Sequence, residues 1–180
     1  MKISLFKELH LTCYDKDGNL KWEEHNFNPR NIIHDTGEIA ILSAYFATGM
    51  TNYGAPPANI YLGLDKRASL AEADTLATLD ELSKSGYERK ALATSGTGVS
   101  GQDFYINQPA AYYRADSATV TWTAGEDWGT AIKNIFLCTD VTATSDGDGD
   151  HLIASLALST TRLLMSGDIL NGSMQVGISE

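Results

Sequence analysis

The sequence predicts a mainly β protein, an antiparallel β-sandwich or barrel with one main α-helix packed on it. Apolar and polar residues alternate over about nine short segments, and Gly-, Asn- and Asp-containing turns separate many of them. Such alternation is typical of strands with one buried face. One segment, about residues 36–48, changes to the spacing of a helix. The 180 residues suffice for one core, so we expect a single domain over 1–180.

The first expected element is a β-hairpin. Apolar and polar residues alternate from Ile3 to Cys13, which predicts a strand. The following turn, residues 15–19, contains Gly18 where a hairpin needs positive φ. Leu20–Phe27 is then predicted to be the returning strand.

A helix is predicted over Thr36–Thr48. Apolar residues recur there at spacings of three and four. Asp35 precedes Glu38 by three positions, as in an N-cap with its reciprocal acceptor, and Gly49 provides a C-terminal stop.

The middle of the chain is less regular. Ile60–Leu64 alternates and predicts a short strand. Ala71–Leu82 fits either a helix or an irregular excursion with one helical turn. Tyr87–Ala93 is predicted to be a strand, and Ser95–Gly101 a flexible Gly- and Ser-rich linker.

The last third is predicted to be strands joined by turns. The clearest alternation sets Val120 and Trp122 against threonines within Ala118–Ala124. Trp128 lies among Gly and acidic residues, so we expect a loop that leaves it partly exposed. The remaining predicted strands are Phe104–Ile106, Ile132–Leu137, Leu152–Leu158 and Leu170–Ile178, with a hairpin loop at Thr142–Asp150.

Charge and hydropathy exclude several partners. The net charge is −10, from 13 basic and 23 acidic residues, and no stretch is basic enough to bind nucleic acid. No apolar run approaches the ~20 residues of a membrane helix. Charges interrupt the first residues, unlike a signal peptide. We therefore expect no membrane contact and synthesis in a cytoplasm.

The two cysteines, Cys13 and Cys138, lie in apolar, strand-like runs. Such cysteines are usually buried and inert. Two thiols do not make a disulfide framework, although a single Cys13–Cys138 bridge stays open.

Two motifs suggest ligands without completing the pattern that binding requires. Gly96–Gly101 matches G-x-G-x-x-G, but a strand follows instead of a helix, which favours a loop over a nucleotide site. Asp146, Asp148 and Asp150 resemble the start of a calcium loop. Ala157 stands where an EF-hand requires glutamate, so a solvated hairpin tip is favoured and calcium stays open.

No catalytic constellation is evident. The four histidines lack zinc-binding spacing, and no Ser or Cys pairs recognisably with a His. Glu23–Glu24 and Glu126–Asp127 could form a glycosidase pair, but solvated carboxylates are expected in so acidic a chain. We predict no enzymatic activity and no cofactor or metal.

An aromatic segment gives the candidate site. Tyr112, Tyr113 and Arg114 are residue types enriched at protein interfaces. Their alternatives are stacking on sugars and covering the rim of the core.

Several weak motifs occur in a fixed order along the chain. They are Asn31–Ile33 before the helix, Ile60–Leu64, the residues Leu76, Glu81, Tyr87 and Arg89, and the closing stretch of Trp128, Ile132–Thr139, Leu152–Ser159, Arg162, Gly167–Leu170 and a final strand. This order resembles small β-rich virion proteins of tailed bacteriophages, which decorate heads or sit on tails and necks.

The resemblance implies a structural role in a virion without catalytic residues. It favours a capsid decoration (cement) subunit that stabilises the mature head. A tail- or neck-associated protein or a carbohydrate-binding receptor module is the alternative. The implied partners are the major capsid protein or another virion protein, and further copies of the chain, with a trimer favoured.

Overall fold

The fold is a β-sandwich with one α-helix in the part of the chain that is described. The computed structural model describes residues 6–27, 32–46, 57–94, 103–107, 114–142, 144 and 150–177. The helix is α1 (Asp35–Phe46). In chain order the strands are β1 (Phe6–Tyr14), β2 (Leu20–Phe27), β3 (Ile32–Ile33), β4 (Asn59–Asp65), β5 (Lys90–Ala93), β6 (Phe104–Asn107), β7 (Arg114–Ser117), β8 (Val120–Thr123), β9 (Trp128–Cys138), β10 (Leu152–Leu164) and β11 (Ile169–Val176).

The strands form two antiparallel sheets. Sheet A has the order β2-β1-β11-β7-β6, with β8 also paired to β11, and sheet B has the order β3-β10-β9-β4-β5. Apolar side chains of both sheets meet in one cluster, in which Leu9 and Leu11 of β1 contact the layer containing Leu62 and Leu64 of β4. The predicted sandwich is therefore confirmed, and these four leucines are fully buried.

The predicted hairpin of β1 and β2 is confirmed. The Asp15 carboxylate accepts the backbone N–H groups of Asp17 at 2.9 Å and Asn19 at 2.8 Å. Gly18 takes a positive φ of 85°, a conformation that glycine adopts without steric cost. These local contacts fix the register that sends Leu9, Leu11 and their neighbours inwards.

The predicted helix is confirmed up to Phe46, because residues 47–50 lie outside the described residues. It begins at Asp35, so this residue lies inside the first turn rather than at the predicted N-cap. The N–H of Glu38 donates to the carbonyl of His34 at 2.9 Å. A Cβ on Gly37 would lie 2.2 Å from the carbonyl oxygen of Ile153, so glycine permits the close approach of α1 to β10.

Residues 66–86 follow the irregular alternative. Leu76–Thr78 forms one 3-10 turn instead of a helix over Ala71–Leu82. The fully buried Asp65 carboxylate accepts the N–H of Arg67 at 2.9 Å and of Asp80 at 2.7 Å. A buried carboxylate thus accepts backbone N–H groups at both ends of this irregular segment.

The strand predicted over Ala118–Ala124 is shorter in the structure, and a separate strand, β7, ends just before it. β7 ends at Ser117 and β8 begins at Val120, and both pair with β11 at different places. The predicted alternation holds in β8, where Val120 and Trp122 are buried between exposed threonines. The strand predicted from Tyr87 begins at Lys90.

The prediction that Trp128 is partly exposed is wrong. Trp128 begins β9 and is 0% exposed, like Trp122. Its indole N–H donates to the carbonyl of Ser85 at 3.0 Å. The neighbouring carboxylates of Glu126 and Asp127 accept backbone N–H groups of two other loops, at 3.0 and 2.8 Å. Glu126 and Asp127 thus form hydrogen bonds with neighbouring loops, and the adjacent Trp128 ring is buried.

Candidate functional site

The structure describes one of the three residues predicted to form an interface. Arg114 begins β7, whereas Tyr112 and Tyr113 lie outside the described residues. Nε of Arg114 lies 2.8 Å from Oδ1 of Asp116, with 19% and 9% of the two side chains exposed. Two residues apart on one strand, they project from the same face of sheet A. Arg114 thus belongs to a polar arrangement on that sheet.

A shallow polar cavity lies on this outer face of sheet A. Its volume is about 200 Å³. Its floor is a row of residues that face one another across four neighbouring strands, Glu8, Gln175, Asp116 and Tyr105. Residues opposite one another in a ladder share a face of the sheet. Leu9 and Met174, which alternate with this row, point into the core.

The cavity lies beside the place where sheet A changes its pairing. β11 pairs with β8 from Ile169 to Gly172 and with β7 only at Gln175 and Val176. Between these ladders, the N–H of Met174 donates to the hydroxyl of Ser117 at 2.9 Å. Both Ser117 and Met174 are among the residues that line the cavity.

The charged groups around the cavity contact other polar groups of the protein. The Asp116 carboxylate, through its charge and the hydrogen bond it accepts, raises the pKa of the Tyr105 phenol. The phenol therefore stays protonated and donates to Asp116. The Glu8 carboxylate contacts Nε2 of His25 on β2. The cavity therefore offers both hydrogen-bond donors and acceptors, and its lining includes the carboxylates of Glu8 and Asp116 and the guanidinium of Arg114.

A histidine pair extends the polar face to the edge strand β2. His10 and His25 face each other across β1 and β2 with ring centroids 4.7 Å apart. His10 lies 2.7 Å from Glu23, and the ring of His25 lies 4.1 Å from that of Phe27. Phe27 is 67% exposed, so an apolar ring borders the charged groups.

A second surface feature of the protein lies on helix α1. It is formed by the exposed side chains of Ile39 and Leu42 and is here named the α1 face. These side chains are 43% and 57% exposed. A helix on a protein surface normally presents polar residues to water. Asp35 and Glu38, also exposed, border the α1 face with negative charge.

The structure does bring a serine and a histidine together. Nε2 of His34 lies 2.9 Å from Oγ of Ser155. The exposed fractions of these residues are 0% and 2%. A substrate could not reach the hydroxyl without opening the fold, so the contact joins β10 to the start of α1.

The expectation that Glu23 and Glu24 are both solvated is wrong for Glu24. Glu24 is 4% exposed and accepts the N–H of Ser159 at 2.7 Å and a guanidinium N–H of Arg162 at 3.1 Å. The guanidinium lies 4.5 Å from the centre of the Trp22 ring. Glu23 points to the opposite face, as alternation requires, so the neighbours cannot act on one substrate.

Glu81, Tyr87 and Arg89 form a partly buried network in which Arg89 is the buried member. Glu81 binds a guanidinium N–H of Arg89 at 2.7 Å and the hydroxyl of Tyr87 at 2.5 Å. Burial first, and then the Glu81 charge, raise the pKa of Tyr87 well above its usual value. Arg89 also donates to the carbonyl of Asp140 at 2.9 Å. These contacts secure the irregular 66–86 segment against sheet B.

The structure leaves the possible calcium loop largely untested. Asp146 and Asp148 lie outside the described residues, and Asp150 is half-buried. The G-x-G-x-x-G motif, Gly96–Gly101, also lies outside the described residues. Among the residues that are described, no group of three or more His, Cys, Asp and Glu is placed to hold a metal ion.

Both cysteines are buried free thiols, as their apolar surroundings predict. Cys13 lies in sheet A and Cys138 in sheet B, so the bridge left open by the sequence does not form. Burial raises the pKa of Cys13 to about 11 and that of Cys138 to about 12.

Comparison with protein-family models, curated proteins and solved structures finds no match for this chain. The described part of the chain contains no helix with the length and apolar character needed to cross a membrane.

Among the residues that line the cavity, Arg114 is the one predicted from the sequence as an interface residue. Ser173 and Gln175 alternate with buried positions of the last strand, which indicates an outward face. The sequence does not show that Asp116 and Tyr105 lie beside them, because that depends on the pairing of distant strands.

Proposed function

We propose that this protein is a non-enzymatic structural subunit of a tailed-bacteriophage virion, most simply a decoration subunit of the mature head. The α1 face carries the proposal, because Ile39 and Leu42 are exposed where polar residues would normally face water. The resemblance in the order of motifs supports the same role. The Ser155–His34 contact is buried, so this pair is not accessible to a substrate.

The occupant of the α1 face is a different protein with an apolar depression bordered by Lys or Arg. Asp35 and Glu38 give this face an acidic border, which such a partner would complement. Two copies joined here would bring like charges together, and the chain has a net charge of −10. A homotrimer, expected from the resemblance, would therefore use another surface.

Decoration requires only selective binding. A subunit that binds the mature shell and not its precursor stabilises the mature state by mass action. The α1 face suits this role because its apolar residues lie on one short helix, which a shell can contact without rearranging the sandwich.

The test adds purified protein to heads that lack it and measures bound copies by sedimentation. The Ile39→Gln/Leu42→Gln variant should bind about thirtyfold more weakly, as expected for loss of an interface anchor worth about 2 kcal/mol. Leu163→Gln is the matched control, because Leu163 is equally apolar and 51% exposed but lies on β10.

Two outcomes would contradict the proposal. Wild-type protein that never co-sediments with heads would exclude decoration and favour a tail or neck position. Equal binding by the α1 variant and the Leu163 control would show that another surface makes the contact.

A further inference from the structure

We infer that the cavity on the outer face of sheet A binds one neutral sugar residue, such as the end of a glycan chain. This inference goes beyond the proposed assembly role and does not depend on it. The cavity lies on sheet A, whereas the α1 face belongs to a helix packed on β10 of sheet B.

The size of the cavity limits the ligand to a small unit. Its volume of about 200 Å³ is below the roughly 300–1,000 Å³ that accommodates a drug-sized molecule. It is also open to solvent on the sheet surface, so a longer chain could continue outside it. One sugar ring at a chain end meets both conditions.

The charges favour a neutral ligand. Glu8 and Asp116 place two carboxylates in the cavity; Asp116 forms an ion pair with Arg114, and Glu8 contacts Nε2 of His25. A phosphate or sugar acid would approach both carboxylates and compete for the one guanidinium. A neutral ligand can bind without breaking either contact.

The hydrogen-bonding groups match hydroxyls that both donate and accept. Carboxylates only accept and Arg114 only donates, whereas the Gln175 amide and the Ser173 hydroxyl do both. Neighbouring hydroxyls on a sugar ring can bridge such a mixed set. The ring of Tyr105 adds an apolar surface for the C–H groups of the sugar.

The central carboxylate is held in place before any ligand arrives. Asp116 has 9% of its side chain exposed, contacts Arg114 at 2.8 Å and accepts the phenol hydrogen of Tyr105. A group fixed by its neighbours loses little conformational entropy when a ligand binds. The contacts with Arg114 and Tyr105 also explain why Asp116 is nearly buried although it faces outwards from the sheet.

The experiment titrates the full chain with the methyl glycosides of glucose, galactose, mannose and N-acetylglucosamine, each separately. Backbone amide NMR reports the site, and glucuronate and inorganic phosphate serve as anionic probes. At least one neutral glycoside should shift the amides of Glu8, Ser173 and Gln175 in a saturable way. Oligosaccharides ending in that sugar should bind at the same residues, which distinguishes a chain end from a free sugar.

Variants locate the binding. Gln175→Ala should weaken the affinity about tenfold, because it removes a hydrogen bond without breaking an ion pair. Asp116→Asn keeps the shape but removes the acceptor charge and should weaken it at least as much. Thr121→Ala is the control, since Thr121 is exposed on the same sheet and bonds Asn171 outside the cavity.

Three results would overturn the inference. They are the absence of any shift with neutral glycosides, tighter binding of glucuronate or phosphate, and sugar binding that Gln175→Ala leaves unchanged. None of them bears on the sedimentation of the α1 variant with heads, so the two proposals fail separately.

Discussion

The contact between Glu24 and Arg162 joins the edge strand of sheet A to β10 of sheet B, and removing it should weaken the fold severely. In Arg162→Met the Glu24 carboxylate, with 2% of its side chain exposed, loses the guanidinium whose nitrogens lie 3.1 and 3.3 Å away. The N–H of Ser159 remains a donor at 2.7 Å but does not neutralise the charge.

The expected loss is about 3–5 kcal/mol in the free energy of unfolding, which is typical when one partner of a buried ion pair is removed. Loss of the guanidinium stacked on Trp22 contributes to this total. The double variant Glu24→Met/Arg162→Met should be more stable than Arg162→Met, because it leaves no charge buried.

Urea unfolding followed by tryptophan fluorescence measures these differences. Lys16→Met is the matched control, because Lys16 and Asp17 form an exposed pair with 71% and 66% of their side chains accessible. That variant should change stability by less than about 0.5 kcal/mol. If Arg162→Met costs no more than Lys16→Met, the assignment of Glu24 as a buried, charge-dependent anchor is wrong.

Four further predictions concern stability and thiol chemistry. Trp122→Ala and Trp128→Ala should each cost roughly 3–5 kcal/mol in chemical unfolding, and a small loss at Trp128 alone would contradict its burial. Because burial raises the pKa values of Cys13 and Cys138 to about 11 and about 12, a thiol reagent at about pH 8 should detect no thiol in native protein and two after unfolding. Unfolded thiols ionise first, so stability should also fall as the pH rises above their ordinary value of 9.0. Burial would raise the pKa of Asp74, but the hydrogen bonds that its carboxylate accepts outweigh burial and lower this pKa below 3.8. The stability that these hydrogen bonds contribute is present above that pH and is lost on acidification. Asp74→Asn should therefore flatten the acid limb of a plot of stability against pH.

Sequence periodicity was sufficient for the local elements. The alternation in β1 predicts that Leu9, Leu11 and Cys13 face the core, and all three are fully buried. The turn after β1 was likewise predictable, because Asp15 and Gly18 act through contacts within five residues. Such features depend on backbone geometry and on the difference between apolar and polar side chains.

Local context was misleading where a residue's environment comes from distant parts of the chain. Trp128 has polar neighbours in sequence, yet Ser85 and Tyr87 cover it. Glu24 follows another glutamate, but Arg162, 138 positions away, makes its burial possible. Neither partner can be identified from spacing along the chain.

The sequence by itself therefore determined a mainly β fold, its first hairpin, the position of its helix and the inward faces of its strands. Only the tertiary structure decided that β11 would pair with β8 over one half and with β7 at its end. The pairing of β11 with β7 places Gln175 beside Asp116, the pairing of β7 with β6 places Asp116 beside Tyr105, and all three line the cavity. The physical reason is that alternation specifies which face of a strand is buried, whereas strand order depends on packing among all the strands at once.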